Sequence, residues 1–237
     1  MPYQAVESHR RYQQIAHQIE RMIASGETPP GDRLPAEREL AALFGVSRPT
    51  IREAMIALEI AGLVEIRTGS GIFVRGDVPQ VPDSPLERAV EQVNGPGPFE
   101  VLTARIVIEP QVAAEAARKA TIADIEEIRA TAEDLTNCLD QRTTLELDQR
   151  FHVLVARSTQ NVLLVSIVDE LWNHNFTRMF AVMSSRTGLS ETRSMDTADH
   201  AEILKQIHAR NPTLARRAMR RHLTNVQRVL SKSRSLL

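Results

Sequence analysis

Hydrophobic residues recur at helical spacing in the first part of the chain and predict three helices there. Residues 9–25 place Tyr12, Ile15 and Ile19 on one face of the first. Residues 36–44 and 47–62 predict the next two. Between them lies a glycine, which ends a helix tightly because it adopts the left-handed conformation. Two helices joined by so short a turn form a helix-turn-helix unit, whose second helix fits the major groove of DNA.

Two β-rich runs follow the third predicted helix, at residues 63–67 and 71–75. The glycine-rich tetrapeptide at 68–71 separates them, and this pattern predicts a hairpin. Helix-turn-helix and hairpin together predict a winged helix-turn-helix domain over residues 8–76.

Basic and hydroxyl side chains cluster on the polar side of this predicted domain. Arg48, Thr50 and Arg52 lie near the start of the second helix of the unit, and Arg38 lies on the helix before it. Arginine recognises guanine with two hydrogen bonds, and hydroxyl groups suit phosphates. The alternative is a small helical core whose arginines are merely solvated, and periodicity alone leaves both interpretations open.

The remainder of the chain predicts a linker and an all-α domain. Residues 77–86 are polar and proline-rich, which predicts a linker. Residues 87–234 predict a helical bundle, because no segment after residue 99 alternates like a strand. Pro110 lies inside the first long helix and predicts a kink or a boundary. Helices are expected at 99–119, 121–139, 145–158, 162–183, 198–209 and 212–230, with an irregular stretch at 184–196.

Composition narrows the class of protein. The chain has 237 residues and a net charge of −1, so no bulk basicity indicates nucleic acid, and basic charge is local. Aromatic residues make up only 4%, which argues against a base-stacking surface for single strands. A single cysteine excludes an internal disulfide and a cysteine-based zinc site. No apolar run predicts a signal peptide or a membrane span, so a cytoplasmic protein is expected.

Four residues of the helical domain form a candidate metal site. Asp148 and His152 are four residues apart on one predicted helix and therefore share a face. His200 and His222 lie on the last two predicted helices beside apolar residues, so all four side chains can point inward. One carboxylate and three imidazoles suit a first-row metal. Seven histidines in 237 residues often cluster without a metal, so the residues alone also allow an ordinary polar core.

The segments LPAEREL, GVSRPTIREA and GLVEIRTGSGIFV closely resemble the N-terminal domain of GntR-family bacterial transcription regulators. Pro49 stands where some members carry a hydroxyl residue, so a contact from that side chain is absent. The resemblance implies double-stranded operator DNA as a partner. It implies DNA contacts by Arg38, Ser47, Arg48, Thr50 and Arg52, and a minor-groove contact by the wing tip at Thr68 and Gly69.

The helical part resembles the ligand-sensing domain of the FadR branch of this family, the FCD type. Many of these domains carry an Asp-x3-His pair and two single histidines around a divalent metal, and the resemblance implies this role for Asp148, His152, His200 and His222. Zinc is the expected metal, with manganese or nickel as alternatives. An arginine matching Arg105 pairs with the effector's carboxylate in that branch, and guanidinium geometry suits this pairing.

Further segments, including Gly97 to Glu100 and Ser185 to Thr187, are similar to bacterial repressors of hexuronate utilisation. This implies a hexuronate-like effector, with Asn175, Arg178 and Arg186 as further polar contacts. The leading hypothesis is a homodimeric regulator, expected to repress and not to be an enzyme.

Three alternatives remain. One is the same class of regulator with another small carboxylate, and one is a structural metal without an effector. The third is a metal-dependent hydrolase or lyase tethered to DNA, which no H-E-x-x-H motif supports.

Overall fold

The computed structural model describes residues 10–67, 69–76, 96–174, 178–187 and 193–231. These residues form ten helices and one two-stranded sheet. The chain divides into two compact units between Gly97 and Pro98. The predicted linker at 77–86 lies outside the described residues, so the domain boundaries 8–76 and 87–234 stay a prediction.

The first unit is a winged helix-turn-helix domain. Its elements in chain order are α1 (Arg11–Ala24), α2 (Glu37–Phe44), α3 (Arg48–Ile60), β1 (Val64–Arg67) and β2 (Gly71–Val74). Gly45 ends α2 with a φ of 63°, in the left-handed region. The backbone N–H of Thr50 donates to the Ser47 side chain, which caps α3. α1 packs against α3 over a core that includes Tyr12, Ile15, Ile19, Ile51, Met55 and Leu58.

The wing is an antiparallel hairpin that begins with the pair Val64–Val74 and ends with Arg67–Gly71. Arg33 adds an isolated bridge to Phe73. Gly71 has a φ of 122°, and a Cβ there would lie 2.5 Å from Nε of Arg33. The positive φ is the reason that glycine is favoured there, since the exposed Arg33 side chain can move aside. The predicted fold of this unit is confirmed.

Seven helices form the second unit, as predicted for an all-α bundle. They are α4 (Pro98–Lys119), α5 (Ile122–Asn137), α6 (Gln141–Arg157), α7 (Val162–Asn173), α8 (Arg178–Thr187), α9 (Arg193–His208) and α10 (Pro212–Ser231). The longest two, α4 and α10, pack extensively against each other, and α9 packs on α10. Buried side chains from six helices form one core, including Ile128, Phe151, Val168, Trp172, Ile203, Met219 and Leu223. Among the described helices, none is both long and apolar enough to cross a membrane.

Several predicted helix boundaries are wrong. The helix predicted at 162–183 is two helices, α7 and α8, and the stretch predicted to be irregular at 184–196 contains the end of α8 and the start of α9. α6 starts four residues earlier than predicted because Asp140 caps it, accepting from the N–H of Thr143 at 2.7 Å. α4 continues through Pro110, since the hydrogen bond that proline removes is one of many in a 22-residue helix.

Candidate DNA-binding surface and metal centre

The start of α3 presents polar side chains on the surface of the winged domain. Ser47 and Arg48 are exposed and Thr50 is half-buried. The hydroxyls of Ser47 and Thr50 hydrogen-bond at 2.8 Å. Arg38 is also exposed, on α2. These four predicted DNA-contact residues are therefore accessible to a duplex.

Arg52 is placed differently from the other predicted contacts. Its side chain is buried, and Nε and Nη2 donate to the two oxygens of Glu37 at 3.1 and 2.8 Å. The pair ties α3 to α2 inside the domain. Oε2 of Glu37 also lies 3.9 Å from Nη2 of the exposed Arg48. Glu37 was not predicted from the sequence, since a separation of 15 residues gives no local signal.

The tip of the wing is exposed at Gly69, where φ is 77°. Thr68, the other predicted tip residue, lies outside the described residues. Next to it, Arg67 pairs with Glu65 at 2.8 Å and lies over the Phe73 ring, 4.7 Å from its centroid. The wing therefore carries an oriented cation beside its tip.

Three helices of the second unit bring the four predicted metal ligands together. α6 supplies Asp148 and His152, α9 supplies His200, and α10 supplies His222. One donor atom from each of the four lies within 4.8 Å of the others. The three histidines are buried, and the side chain of Asp148 is partly exposed. Zinc holds nitrogen and oxygen ligands at about 2.0–2.2 Å, so two ligands of one ion lie no more than about 4.4 Å apart, close to the observed spread.

The donor atoms of this cluster lack hydrogen-bond partners. Among the described residues, none is found for Oδ1 of Asp148, Nε2 of His152, either ring nitrogen of His200 or Nδ1 of His222. Nε2 of His200 lies 3.0 Å from Oδ1 of Asp148, yet without hydrogen-bond geometry. Buried polar atoms normally have a partner, because leaving one unsatisfied costs about 1–3 kcal/mol. Buried atoms that converge on one point without partners fit a cation site, because a bound cation would be the partner that each of them lacks.

Electrostatics at the cluster favour the protonation states in which these four side chains bind a metal. Burial would raise the pKa of Asp148, but His200, His152 and His222 lower it well below its usual range. Burial and the neighbouring His200 and His152 lower the pKa of His222. Burial also lowers the pKa of His152. A carboxylate and neutral imidazoles are the forms that bind a metal.

Arg105 lies beside the cluster, on α4. It is buried, its Nε donates to Oε1 of Glu109, and its Cζ lies 3.9 Å from the centroid of the Trp172 ring. Its Nη2 has no hydrogen-bond partner among the described residues. Burial would raise the pKa of Glu109, but Arg105 and His152 lower it to about 2, so this carboxylate is ionised. Glu109 was not predicted from the sequence, although its position four residues after Arg105 was a usable signal.

The remaining predicted effector contacts are less defined. Asn175 lies outside the described residues. Arg178 and Arg186 lie on α8, and their side chains are outside the part of the chain that the structure describes. These three residues therefore stay predictions. The defined site consists of an incomplete metal-ligand set with a buried guanidinium nearby, which can hold a cation and an anion side by side.

Sequence comparisons place both units in known families. Residues 11–74 match the model of the bacterial regulatory proteins of the gntR family, and residues 100–225 match the FCD domain. The chain belongs to the GntR family. It combines the family's helix-turn-helix with an FCD domain, so the predicted class, a DNA-binding transcription regulator, is confirmed.

Curated relatives extend over almost the whole of this GntR-family chain. The Uxu operon regulator of Haemophilus influenzae is 36% identical over 92% of this chain and 81% of its own. The Exu regulon transcriptional regulator of Escherichia coli K12 is 38% identical over 94% of this chain and 86% of its own. The Uxu operon transcriptional regulator of E. coli K12 is 35% identical over 97% and 90%, respectively. These relatives are regulators and not enzymes, and the predicted resemblance to hexuronate regulators is confirmed.

Proposed function

We propose that this GntR-family protein is a homodimeric repressor whose affinity for operator DNA is controlled by a hexuronate-like sugar acid bound at a metal in the FCD domain. As an operator-binding regulator it acts in the cytoplasm. Two winged domains would contact a pseudo-palindrome with half-sites about 34 Å apart, one helical turn of DNA.

One observation carries the sensing part of this proposal. Buried donor atoms of four residues converge without hydrogen-bond partners among the described residues, and an unpartnered Nη2 of Arg105 lies on a neighbouring helix. A core that served stability alone would satisfy such atoms or replace them with apolar groups. Asp148, His152, His200 and His222 would hold a divalent metal, and zinc is the expected ion. With these four protein ligands, a zinc that expands to five-coordination, or a six-coordinate manganese or nickel, would have a position for a carboxylate.

The chain's own residues explain why a sugar acid suits the site. Arg105 would bind the carboxylate of the effector, since its planar guanidinium offers a free donor there. Asn175, Arg178 and Arg186 are proposed to contact the hydroxyl groups. The relatives named for Uxu and Exu regulation support a hexuronate over other acids.

Operator contacts are proposed for the exposed side chains at the start of α3. Arg48 would contact base edges or phosphates, and Ser47 and Thr50 would contact phosphates. Arg38 and the wing tip at Thr68 and Gly69 complete the proposed surface. The buried Arg52 is proposed to orient this surface through Glu37 and not to contact the duplex itself.

The first experiment is a thermal-shift screen of zinc-loaded protein against D-glucuronate, D-galacturonate, aldonates, dicarboxylates and aromatic acids. The hexuronates should raise Tm, and His200→Ala should abolish the rise. A rise in Tm with another class of acid would support the sensing mechanism but contradict the hexuronate as its effector. Zinc binding without a rise from any acid would favour a structural metal and contradict the sensing proposal.

A second experiment measures the coupling between the two domains. Operator affinity is measured by fluorescence anisotropy on a duplex enriched from random sequences, with and without D-glucuronate. A coupling of about 1–3 kcal/mol is the usual scale for allosteric regulators. Unchanged operator affinity would contradict the regulatory proposal, and turnover of the sugar acid by the zinc-loaded protein would instead support the enzyme alternative.

A further inference from the structure

The carboxylate of Glu109 lies between the two candidate binding groups of the FCD domain. Oε1 accepts from Nε of Arg105, and Oε2 contacts Nδ1 of His152 in a short hydrogen bond. Glu109 is only 1% exposed, so water does not compete for these contacts. We propose that Glu109 is a positioning residue that fixes the tautomer and orientation of His152 for the metal and aligns Arg105 beside it. This inference rests on the proposed metal site.

The contact with Glu109 determines which nitrogen of His152 is available. Oε1 of Glu109 accepts from the guanidinium of Arg105, and a carboxylate paired in this way also accepts at its second oxygen. Nδ1 of His152 therefore carries the proton and donates to Oε2. In a neutral imidazole the other nitrogen then holds a lone pair. That nitrogen, Nε2, lies 3.6 Å from Oδ1 of Asp148 and has no hydrogen-bond partner among the described residues. Glu109 therefore directs the lone pair of His152 toward the other three ligands.

Glu109 can serve both neighbours only because it has two acceptor oxygens. Arg105 and His152 are both donors, and each occupies one oxygen. Glutamine has nearly the same shape but offers one oxygen and an NH₂ group that only donates. In Glu109→Gln, either one donor faces the NH₂ group or His152 changes tautomer, which puts the proton on Nε2, the nitrogen that faces the other ligands. Although Glu109→Gln conserves the volume of the side chain, it therefore disrupts the two hydrogen bonds that Glu109 accepts from Arg105 and His152.

The test is the zinc affinity of the full-length protein, measured by competition with a chelating dye. Glu109→Gln is expected to weaken zinc binding about 10- to 100-fold, the usual effect of losing the hydrogen-bond partner of a ligand histidine. The matched control is Glu115→Gln on the same helix, which removes only contacts with Arg118 and Lys119 on the surface. The control should bind zinc like the parent.

A second measurement does not depend on any variant folding. Nitrogen-15 NMR of the zinc-loaded parent should show His152 protonated at Nδ1 and bound through Nε2. The opposite tautomer, or equal zinc affinity in Glu109→Gln and the parent, would overturn the role of Glu109. Absence of zinc binding by the parent would instead contradict the proposed metal site, so the two failures are distinguishable.

Discussion

Each unit of the molecule buries an arginine–glutamate pair, and the two pairs differ in completeness. In the winged domain, both oxygens of Glu37 accept from Arg52. In the FCD domain, Glu109 divides its oxygens between Arg105 and His152, and Nη2 of Arg105 has no hydrogen-bond partner among the described residues. The first pair is satisfied within the protein and holds two helices together. The second pair leaves a hydrogen-bond donor available for a ligand. The number of hydrogen bonds that a buried pair completes within the protein therefore distinguishes a structural pair from a binding site.

Breaking the complete pair should have the largest effect. Glu37→Ala removes the bidentate acceptor of a buried guanidinium, and removing one partner of a buried pair costs about 3–5 kcal/mol. We expect the free energy of unfolding, measured by urea denaturation with circular dichroism, to fall by this amount.

Glu39→Ala is the control for this prediction. It lies on the same helix, is exposed, and within the described part of the chain accepts only from the N–H of Ala36, at 3.1 Å. Its cost should stay near 1 kcal/mol, the usual value of a capping interaction. Equal losses in the two variants would show that the Glu37–Arg52 pair does not hold the domain together.

Removing a histidine from the candidate metal site should leave the stability of the metal-free protein almost unchanged, in contrast to the loss expected for Glu37→Ala. His222→Leu removes a buried ring whose Nδ1 has no hydrogen-bond partner among the described residues, so the metal-free protein should keep its stability within about 1 kcal/mol. The stabilisation by zinc should disappear, and at a concentration of 100 times Kd that stabilisation is about 2.7 kcal/mol. Thermal denaturation with and without zinc measures both quantities.

His208→Leu is the matched control, because His208 lies on α9 at an exposed position outside the four-residue cluster. Zinc should stabilise this variant like the parent. A large loss of metal-free stability in His222→Leu would mean that the histidine cluster is itself structural.

Exposed and buried arginines of the winged domain should also differ. Arg48 is exposed, with a side-chain exposure of 58%, so Arg48→Ala should leave the free energy of unfolding unchanged. Operator affinity should fall by about 1–3 kcal/mol, as measured by fluorescence anisotropy. Arg118→Ala, an exposed arginine of the FCD domain, controls for net charge. Equal affinities of Arg48→Ala and the parent would remove Arg48 from the proposed operator surface.

Local signals in the sequence were enough to predict most of the winged domain. The turn at Gly45, the cap at Ser47 and the two β-rich runs each depend on residues within a few positions. The pairing of Asp148 with His152 also follows from a spacing of four. Their convergence with two further helices was suggested by the family resemblance, because tertiary packing gives no periodic signal.

The predictions from the sequence were least accurate where the position of a side chain depends on a residue far away in the sequence. Arg52 was placed on the polar face, yet almost the whole of α3 from Ile51 to Leu58 is buried, and Glu37 draws this guanidinium inward. Glu109 and His152 are 43 residues apart, so no local pattern relates them. The end of α7 at Asn173 has no glycine or proline after it in the sequence, which is why one long helix was predicted.

A third polar contact, between α9 and α10, is satisfied within the protein but partly exposed. Breaking it should have the smallest effect on the free energy of unfolding. Asp199 on α9 accepts from Nε of Arg221 at 3.0 Å and from Nδ2 of Asn225 at 2.9 Å, both on α10. Nη2 of Arg221 also lies 3.0 Å from Oδ1 of Asp199, at ion-pair distance. Asp199 thereby joins the helices that carry His200 and His222. The pair is satisfied, like Arg52 with Glu37, but the side chain of Arg221 is 52% exposed.

Solvent should therefore screen this contact, and Asp199→Asn is expected to lower the free energy of unfolding by about 1 kcal/mol. A double-mutant cycle with Arg221→Gln isolates the pairwise part, because each single variant also changes other contacts. A coupling energy of about 3–5 kcal/mol, the loss expected on breaking the buried Glu37–Arg52 pair, would show that exposure does not weaken such pairs here. A coupling of zero would show that the Arg221 contact adds nothing to the packing of α9 on α10. An intermediate value is expected, since the stability that an ion pair adds depends on how completely its partners are satisfied and on how fully water is excluded.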